Sequence, residues 1–400
     1  MKPVEITQGI HWIGVNDEKT ELFEGLWPIK DEGISYNSYL VRGEKNALID
    51  LCKDIYQEEY LGELMALVDP AKIDYLVVNH MEPDHSGAMR AFLELAPQAK
   101  ILCTQKAVKM LVDFFGITEN IHAVEDGETL DLGGHVLQFT TIPMVHWPET
   151  MVTFDQTTGV LFSCDAFGGY GKLIDGIFDD DYADISFFEK ESLRYYANIV
   201  AAFSKPVLNA GEKLAGAEIK IVAPSHGLVW RKDPAHIVDL YMKWSEYGKG
   251  KAEKKVALIH GTMYGNTSRV AEAIAEGLRS TGVGFETFDV RLTHTSYILP
   301  AIWTSQGVAI GAPTYEGSLF PGMAQTLLMA EFKRMFYKDA IYFGSYGWGG
   351  GAQRYLSAQL ERLKWHLGDT LEFSGEPKPA DLSQAKALGM NFGAKILSND

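Results

Sequence analysis

Potential metal ligands are concentrated in one short stretch of this 400-residue chain. A predicted strand, DYLVVNH, runs straight into the motif H-x-E-x-D-H, which supplies His80, Glu82, Asp84 and His85. One such residue at the end of a strand is usually a surface or capping group. Four of them this close would repel one another and lose hydration unless a cation held them together. The segment therefore predicts a metal site.

Three later segments add one potential ligand each. They are His146 in TIPMVHWPE, Asp165 in LFSCDAFGG and His226 in IVAPSHGLVW. Each follows an apolar strand, so all of them could converge on one edge of layered sheets. The other histidines lack this clustering, and we expect them to be ordinary surface or core residues.

A different kind of site is predicted between the strand VALIH and the helix that follows it. Hydroxyl groups and free backbone N–H groups at a helix N-terminus bind anions, and a glycine there lets the backbone turn closely around a phosphate. The P-loop lysine is absent because Asn266 stands in its place, which argues against a nucleoside triphosphate and is compatible with one terminal phosphate. The candidate residues are Thr262, Met263, Tyr264, Gly265, Asn266 and Thr267.

Two further loops follow successive strands of the same predicted sheet. In an open α/β sheet such loops meet at the crevice where ligands bind. Glycine and tyrosine are ordinary loop residues, but three such loops in the correct order favour a binding site for a flat ring. The candidates are Pro313, Thr314, Tyr315, Glu316 and Gly317 in one loop, and Ser345, Tyr346, Gly347, Trp348, Gly349 and Gly350 in the other.

The elements that would position these residues divide the chain near residue 250. In the first part, short β-branched and aromatic runs alternate with helical patterns, which predicts sheets covered by helices. The polar stretch WSEYGKGKAEKK (244–255) is predicted to be a linker. Strict β-loop-α repetition after it predicts a doubly wound parallel sheet. The predicted domains are residues 1–248 and 249–400.

Composition limits the partners and the compartment. The chain is 46% hydrophobic and 22% charged, as in globular proteins, and its net charge of −17 repels nucleic acids and anionic membranes. It has no apolar run long enough for a membrane span and no signal peptide at its start. The three cysteines form no C-x-x-C pair and no disulfide framework. We therefore expect a cytoplasmic protein with neither a nucleic-acid nor a membrane partner.

The two halves resemble two known folds. The spacing H-x-E-x-D-H, then H, D and H, resembles the metallo-β-lactamase fold, an αββα sandwich, over about residues 1–245. The segment 255–400 resembles a flavodoxin, in which three such loops hold the phosphate and the isoalloxazine ring of FMN. Hydrolytic lactamase-like proteins carry H-x-H-x-D-H and bind zinc, so Glu82 is a departure that makes the site more anionic. The combination resembles the flavodiiron proteins (A-type flavoproteins) over essentially the full chain.

This resemblance implies FMN and a diiron centre. It implies reduction of dioxygen to water, of nitric oxide to nitrous oxide, or of both. Two Fe(II) ions and reduced FMN together hold the four electrons that dioxygen requires, whereas zinc has no redox chemistry. By resemblance, one iron would be bound by His80, Glu82 and His146, the other by Asp84, His85 and His226, with Asp165 as the bridge.

The resemblance also implies a head-to-tail homodimer or a dimer of dimers, in which the FMN of one chain meets the diiron site of another. The chain has no C-x-x-C pairs for a rubredoxin iron, so a separate donor is expected, either rubredoxin or a reduced deazaflavin. Trp147 is expected to shape the pocket, and Tyr195 or Tyr196 to donate a hydrogen bond to the bound diatomic, although core packing is the commoner role for such residues.

Two alternatives remain open on the sequence alone. One is a dinuclear hydrolase of the lactamase superfamily with an appended flavodoxin domain, which would bind zinc. The other is a non-enzymatic electron carrier whose metal half is vestigial. Glu82 counts against the hydrolase, and the full set of ligand-type residues counts against the carrier.

Overall fold

The computed structural model describes residues 2–399, which fall into two compact units. The first unit runs to Tyr196 and resumes over Lys205–Met242. The second comprises Ala197–Ser204 and the residues from Lys243 onward. The chain therefore enters the second unit briefly at 197–204 before its final crossing, an excursion that the sequence analysis did not anticipate.

The first part of the chain forms two large sheets, a two-stranded hairpin at residues 22–28, and a set of helices. The strands are β1 (Val4–Thr7), β2 (Ile10–Asp17), β3 (Leu22–Phe23), β4 (Trp27–Pro28), β5 (Ile34–Arg42), β6 (Asn46–Ile49), β7 (Ile73–Val77), β8 (Lys100–Thr104), β9 (Ile121–Val124), β10 (Thr129–Asp131), β11 (Val136–Thr141), β12 (Met151–Asp155), β13 (Val160–Cys164) and β14 (Ile221–Pro224). The helices are α1 (Gln57–Leu67), α2 (Pro83–Ser86), α3 (Met89–Leu95), α4 (Gln105–Met110), α5 (Ser186–Tyr195), α6 (Ser204–Leu214) and α7 (Pro234–Glu246).

The two sheets pack face to face. The larger has the order β1-β2-β5-β6-β7-β8-β9, and the smaller has the order β10-β11-β12-β13-β14. Tyr39 of β5 joins them, because its ring lies 5.1 Å from that of Phe162 on β13 and its hydroxyl donates to the carbonyl of Pro224 at 2.7 Å. This sandwich confirms the predicted lactamase-like fold.

The second unit is built around a parallel sheet. Its strands are β15 (Glu253–His260), β16 (Gly284–Asp289), β17 (Ser305–Gly311), β18 (Thr314–Tyr315), β19 (Ser318–Leu319), β20 (Asp339–Tyr346) and β21 (His366–Ser374). Its helices are α8 (Asn266–Thr281), α9 (Thr295–Thr304), α10 (Pro321–Phe332), α11 (Ala352–Leu363) and α12 (Pro379–Ser398). The order β16-β15-β17-β20-β21, parallel throughout, is the flavodoxin order and confirms the predicted doubly wound sheet.

Helices α8 and α12 pack closely on one face of this sheet. Val270, Ile274 and Leu278 of α8 are fully buried in the core, as their helical spacing predicts. Gly277 and Gly389 make the approach possible, because a Cβ atom at either position would collide with backbone of the opposite helix. This packing fixes the axis of α8, whose first residues belong to the predicted phosphate loop.

The predicted linker at 244–255 is wrong for most of its length. Helix α7 continues to Glu246, a 3₁₀ turn covers Tyr247–Lys249, and β15 begins at Glu253. Two aromatic side chains explain the difference, because Trp244 and Tyr247 are buried despite their Gly- and Lys-rich surroundings. The Trp303 indole donates to the carbonyl of Trp244 at 3.1 Å, and the Tyr247 hydroxyl donates to Glu253 at 2.7 Å.

Among residues 2–399, none of the helices combines the length and the apolar content needed to cross a bilayer.

Candidate metal and flavin sites

The H-x-E-x-D-H segment begins where β7 ends and turns at once into a short helix. His80 follows Val77 by three residues, and Glu82 is the residue before helix α2. Pro83 opens that helix, a position where its missing N–H costs nothing. Asp84 and His85 come next on the helix and are buried, so a strand end and one helical turn together direct four polar side chains inward.

The other predicted ligands come from neighbouring strand ends of the smaller sheet. His146 lies in the connection between β11 and β12, Asp165 directly follows β13, and His226 follows β14 by two residues. Strands β13 and β14 are paired in parallel, so Asp165 and His226 emerge at the same edge. The structure thus brings all seven predicted ligands to one end of the sandwich.

Asp165 lies between two pairs of imidazoles. Its Oδ2 atom is 3.3 Å from Nε2 of His80 and 3.1 Å from Nε2 of His146. Its Oδ1 atom is 2.9 Å from Nε2 of His85 and 3.3 Å from Nε2 of His226. Each oxygen therefore faces its own pair of histidines, which is the arrangement that a carboxylate bridging two metals requires.

The remaining two carboxylates each join one of these pairs. Oε2 of Glu82 is 3.3 Å from Nε2 of His80 and 3.0 Å from Nε2 of His146. Asp84 places Oδ2 at 3.3 Å from Nε2 of His226. The structure therefore holds two ligand groups on either side of Asp165, namely His80, Glu82 and His146, and Asp84, His85 and His226.

The donor atoms fit a pair of cations. Both carboxylate oxygens of Asp84 and of Asp165, and Nε2 of His85 and of His226, are buried without a hydrogen-bond partner among residues 2–399. Burying so many polar atoms unsatisfied is costly unless something else binds them. Imidazole and carboxylate ligands suit iron, and the three carboxylates offset most of the charge of two divalent ions.

Mutual electrostatics keep Asp165 and Glu82 ionised. Burial raises the pKa of Asp165, but the field of His85 and the close imidazoles of His146 and His226 hold that pKa well below its usual range. Burial lowers the pKa of His146, but its contacts with Asp165 and Glu82 outweigh that effect and raise it to about 9. The anionic oxygens are thus available to a metal, which competes with protons for the imidazoles.

Two hydrogen-bond partners that orient ligands of the cluster are not predicted by the sequence. Nδ1 of His80 donates to Oε1 of Glu149 at 2.7 Å, and the backbone N–H of Met81 donates to the same oxygen at 3.0 Å. Nδ1 of His226 donates to the carbonyl of Ser35 at 2.8 Å. Such contacts fix the tautomer and aim Nε2 at the metal. The one signal in the sequence is Glu149 itself, an acidic residue three positions after His146 in the segment HWPE.

Cys164 also comes close to the cluster, which the sequence analysis did not expect. Its Sγ atom lies within 4.8 Å of ligand atoms of His85 and Asp165. Burial raises the pKa of this thiol well above its ordinary value, and the charges of Asp165 and Asp50 raise it further. The two ligand groups on either side of Asp165 are complete without this thiol.

The predicted aromatic residues take different places. The Trp147 ring lies 5.1 Å from that of His80 and 6.1 Å from that of His146. The Tyr195 ring lies 5.5 Å from that of His226. Tyr196 instead packs against Tyr241 at 5.1 Å, since neighbouring residues of a helix point about 100° apart.

The predicted phosphate loop wraps around the N-terminus of α8. Gly265 precedes the helix with a φ of 91°, and its N–H donates to the hydroxyl of Thr262 at 3.0 Å. Thr262 and Thr267 are buried, and the Thr267 hydroxyl is 3.2 Å from that of Ser345 in the third loop. Met263 and Tyr264 are exposed. The helix start has no side-chain cap, so its N–H groups are available to a phosphate.

The other two predicted loops follow adjacent strands at the same edge. After Pro313, β18 and β19 form a small hairpin that turns at Glu316 and Gly317, with φ of 48° and 70°. The N–H of Ala352 donates to the Thr314 hydroxyl at 3.3 Å and so links this hairpin to the third loop. That loop continues β20 from Ser345 and Tyr346 through Gly347, Trp348, Gly349 and Gly350. Tyr315 is 42% exposed and Trp348 is fully exposed, so both offer an open face to a flat ring.

Comparison with known proteins identifies both halves. Residues 34–227 match the ODP family beta lactamase, and residues 258–389 match the flavodoxin family. The chain is 35% identical to a nitric oxide reductase of Moorella thermoacetica over 99% of each protein. It is also 38% identical to the anaerobic nitric oxide reductase flavorubredoxin of Pectobacterium atrosepticum, over 89% of this chain and 70% of that protein.

Solved structures agree with these relatives. The rubredoxin oxygen:oxidoreductase of Desulfovibrio gigas matches with a TM-score of 0.93 at 30% identity, over 99% of each chain. The flavodiiron protein of Giardia intestinalis matches with a TM-score of 0.93 at 29% identity, over 100% of this chain and 97% of that one. The chain therefore belongs to the flavodiiron proteins, and it is an oxidoreductase that uses FMN and a diiron centre.

Proposed function

We propose that this protein reduces dioxygen to water, nitric oxide to nitrous oxide, or both, with electrons from a separate donor such as rubredoxin. The observation that carries the proposal is Asp165, each of whose oxygens faces its own pair of histidines. Relatives named for nitric oxide reduction and for rubredoxin-dependent oxygen reduction support the two substrates. The hydrolase alternative has no support among them.

The proposed ligands follow the two groups around Asp165. When bound, the iron pair and FMN supply the electron transfer and the binding of the gas. Glu82 stands where zinc hydrolases carry histidine, and its negative charge favours the oxidised iron state. One iron would be held by His80, Glu82 and His146, the other by Asp84, His85 and His226, with Asp165 shared.

Neighbouring side chains would serve the substrate pocket. Burial and the charges of Asp165 and Asp84 raise the pKa of Tyr195 well above its ordinary value, so its hydroxyl stays protonated and can donate a hydrogen bond to the diatomic. Trp147 would form a wall beside His80 and His146. Glu149 would hold the His80 ring in place.

For FMN, we propose that the phosphate is bound at the start of α8 and that the ring is bound by the second and third loops. The Thr262 and Thr267 hydroxyls and the free N–H groups support the phosphate site, and the open faces of Tyr315 and Trp348 support the ring site. The metal half would then correspond to residues 1–248 and the flavin half to residues 249–400.

We propose that chains associate head to tail, as a homodimer or a dimer of dimers. Apolar side chains are exposed beside each site, and their burial by a partner chain would favour such an association. Tyr264 is 91% exposed at the flavin loops, and Met144 is 37% exposed two residues before His146. The electron donor would be rubredoxin or a reduced deazaflavin. The three cysteines are free and buried, which supports a reducing, cytoplasmic setting.

The activity can be tested by metal content and gas consumption together. Protein produced with iron available should contain two irons per chain, because three carboxylates make the ligand set anionic. It should also contain one FMN per chain, because the second half of the chain is a flavodoxin domain. It should consume dioxygen, nitric oxide or both when supplied with reduced rubredoxin, and the ratio of the two rates gives the preference. Two zinc ions per chain and no consumption of either gas would refute the proposal.

Replacing Asp165 by alanine tests the shared ligand. The Asp165→Ala variant should retain at most one iron per chain, since both groups lose an oxygen that no neighbouring carboxylate replaces. Elemental analysis measures the iron, and FMN content should stay normal. His122→Ala, which changes a histidine paired with Glu128 outside the cluster, should keep both irons. Full iron in Asp165→Ala would contradict the bridging role.

Replacing Gly265 by valine tests the phosphate loop. A Cβ atom at Gly265 meets nothing in the protein within 4 Å, so the cost arises from its positive φ and from the phosphate that would lie against it. Gly265→Val should lower FMN occupancy, measured by absorbance, with iron near normal. Gly265→Asn, which tolerates positive φ, should retain more FMN than Gly265→Val. Parallel loss of iron would contradict the separation of the two sites.

Mixing two defective variants tests the head-to-tail arrangement. Gly265→Val lacks FMN, and a chain with His80→Ala and Asp165→Ala lacks iron, so neither homodimer should be active. A mixed dimer holds one intact flavin facing one intact metal site and should recover activity. Native mass spectrometry should verify that mixed dimers form. If they form and stay inactive, electrons do not pass between chains and the arrangement must be abandoned.

A further inference from the structure

A short hairpin lies against one side of the metal centre. It consists of β3 and β4, paired in antiparallel register with Phe23 opposite Trp27. Its outer side chains, Leu22 and Leu26, are exposed, whereas Phe23 and Trp27 are buried. We call residues 22–28 the cover hairpin.

Phe23 carries the contact between the cover hairpin and the site. Its ring is 4% exposed and meets the ring of His226 edge-on, at 5.7 Å and 88°. It also lies 5.7 Å from the Tyr170 ring and 6.1 Å from the Tyr195 ring. Phe23 therefore packs over the side of the metal-ligand cluster where His226 and the proposed hydrogen-bond donor Tyr195 lie.

A buried arginine fastens the cover hairpin. Arg194 is 1% exposed, and its Nη1 donates to the carbonyl of Pro28 at 2.9 Å. Its Nη2 is 3.5 Å from Glu32, just beyond the hairpin, and its Nε donates to Glu191 at 2.6 Å. The guanidinium lies 4.3 Å above the Tyr170 ring.

This arrangement joins two elements that carry pocket residues. Arg194 precedes Tyr195 on α5, and it holds the hairpin that carries Phe23. Burying a guanidinium is costly unless carboxylates and carbonyls satisfy it, so such a residue contributes little to stability beyond what a well-packed apolar side chain would give. Its planar set of donors does, however, fix three partners in one geometry.

We propose that Arg194 is a positioning residue that clamps the cover hairpin, so that Phe23 keeps the pocket closed while dioxygen is reduced. Complete reduction takes up four electrons and four protons and yields two waters. Escape after two electrons and two protons yields hydrogen peroxide. A closed apolar wall excludes water and retains the partly reduced species, which is the general benefit of sealing an active site.

Different variants test the role of Arg194 in holding the cover hairpin and the role of Phe23 in closing the pocket. Arg194→Lys keeps the positive charge beside Glu191 but cannot reach Pro28 and Glu32 together. The double variant Arg194→Met with Glu191→Gln removes both charges of the Arg194–Glu191 ion pair, should the lysine variant fail to fold. Phe23→Ala opens the wall, and Phe23→Leu fills it in part. Leu22→Ala is the control, since it changes an exposed side chain of the same hairpin.

The first measurement is hydrogen exchange of the iron- and FMN-loaded protein. Arg194→Lys should accelerate amide exchange within residues 22–28 by about tenfold or more, since the hairpin loses the hydrogen bond from Arg194 to the carbonyl of Pro28. Leu22→Ala should leave the exchange of residues 22–28 close to that of the unchanged protein. Unaltered exchange in Arg194→Lys, or in the double variant if it must be used, would overturn the clamp.

The second measurement is the share of consumed dioxygen that appears as hydrogen peroxide, at verified iron content. Arg194→Lys and Phe23→Ala should raise this share several-fold, Phe23→Leu should lie between, and Leu22→Ala should not change it. An unchanged share in Phe23→Ala would overturn the closing role. This readout rests on the proposed dioxygen reduction, whose own failure would appear as no consumption by the unchanged protein, whereas hydrogen exchange tests the clamp without turnover.

Discussion

The structure of the first unit depends on a concentration of buried charge around Asp165. A lone carboxylate in this position would be strongly disfavoured, and four imidazoles around it would be disfavoured as well. Together they are tolerable because each oxygen faces its own pair of rings. The sandwich places the carboxylate and the four imidazoles at the ends of its strands. There, side chains can converge without interrupting the ladder of backbone hydrogen bonds. The surrounding contacts of Glu149 and Ser35 hold the rings in that convergence.

The second unit differs from the first in the chemical groups that it offers to a cofactor. It offers helix N–H groups, hydroxyls and open aromatic faces rather than buried charge, and such groups suit a flat, charged cofactor at a surface. The close packing of α8 on α12 fixes the helix start, and the parallel strands place the three loops side by side. Rigid elements thus carry loops that can approach the ligand closely.

The sequence predicts those features whose residues are close together or follow a repeating pattern. The H-x-E-x-D-H motif and the strand ends before His146, Asp165 and His226 were sufficient to anticipate the cluster, and the β-loop-α rhythm was sufficient for the parallel sheet. Contacts across the chain were not predictable. Glu149 meets His80 from 69 residues away, and Ser35 meets His226 from 191 residues away. No spacing rule relates such pairs, because the sandwich brings them together.

The phosphate loop of the second unit has a consequence for how the flavin is held. Neither that loop nor the two beside it contains a lysine or an arginine, so a phosphate bound there would be received by neutral dipoles. Dissolved salt weakens attraction between charges over about 8 Å at physiological ionic strength, but it screens short, directed hydrogen bonds far less. Retention of the cofactor should therefore be nearly indifferent to ionic strength, even though the protein as a whole is strongly acidic.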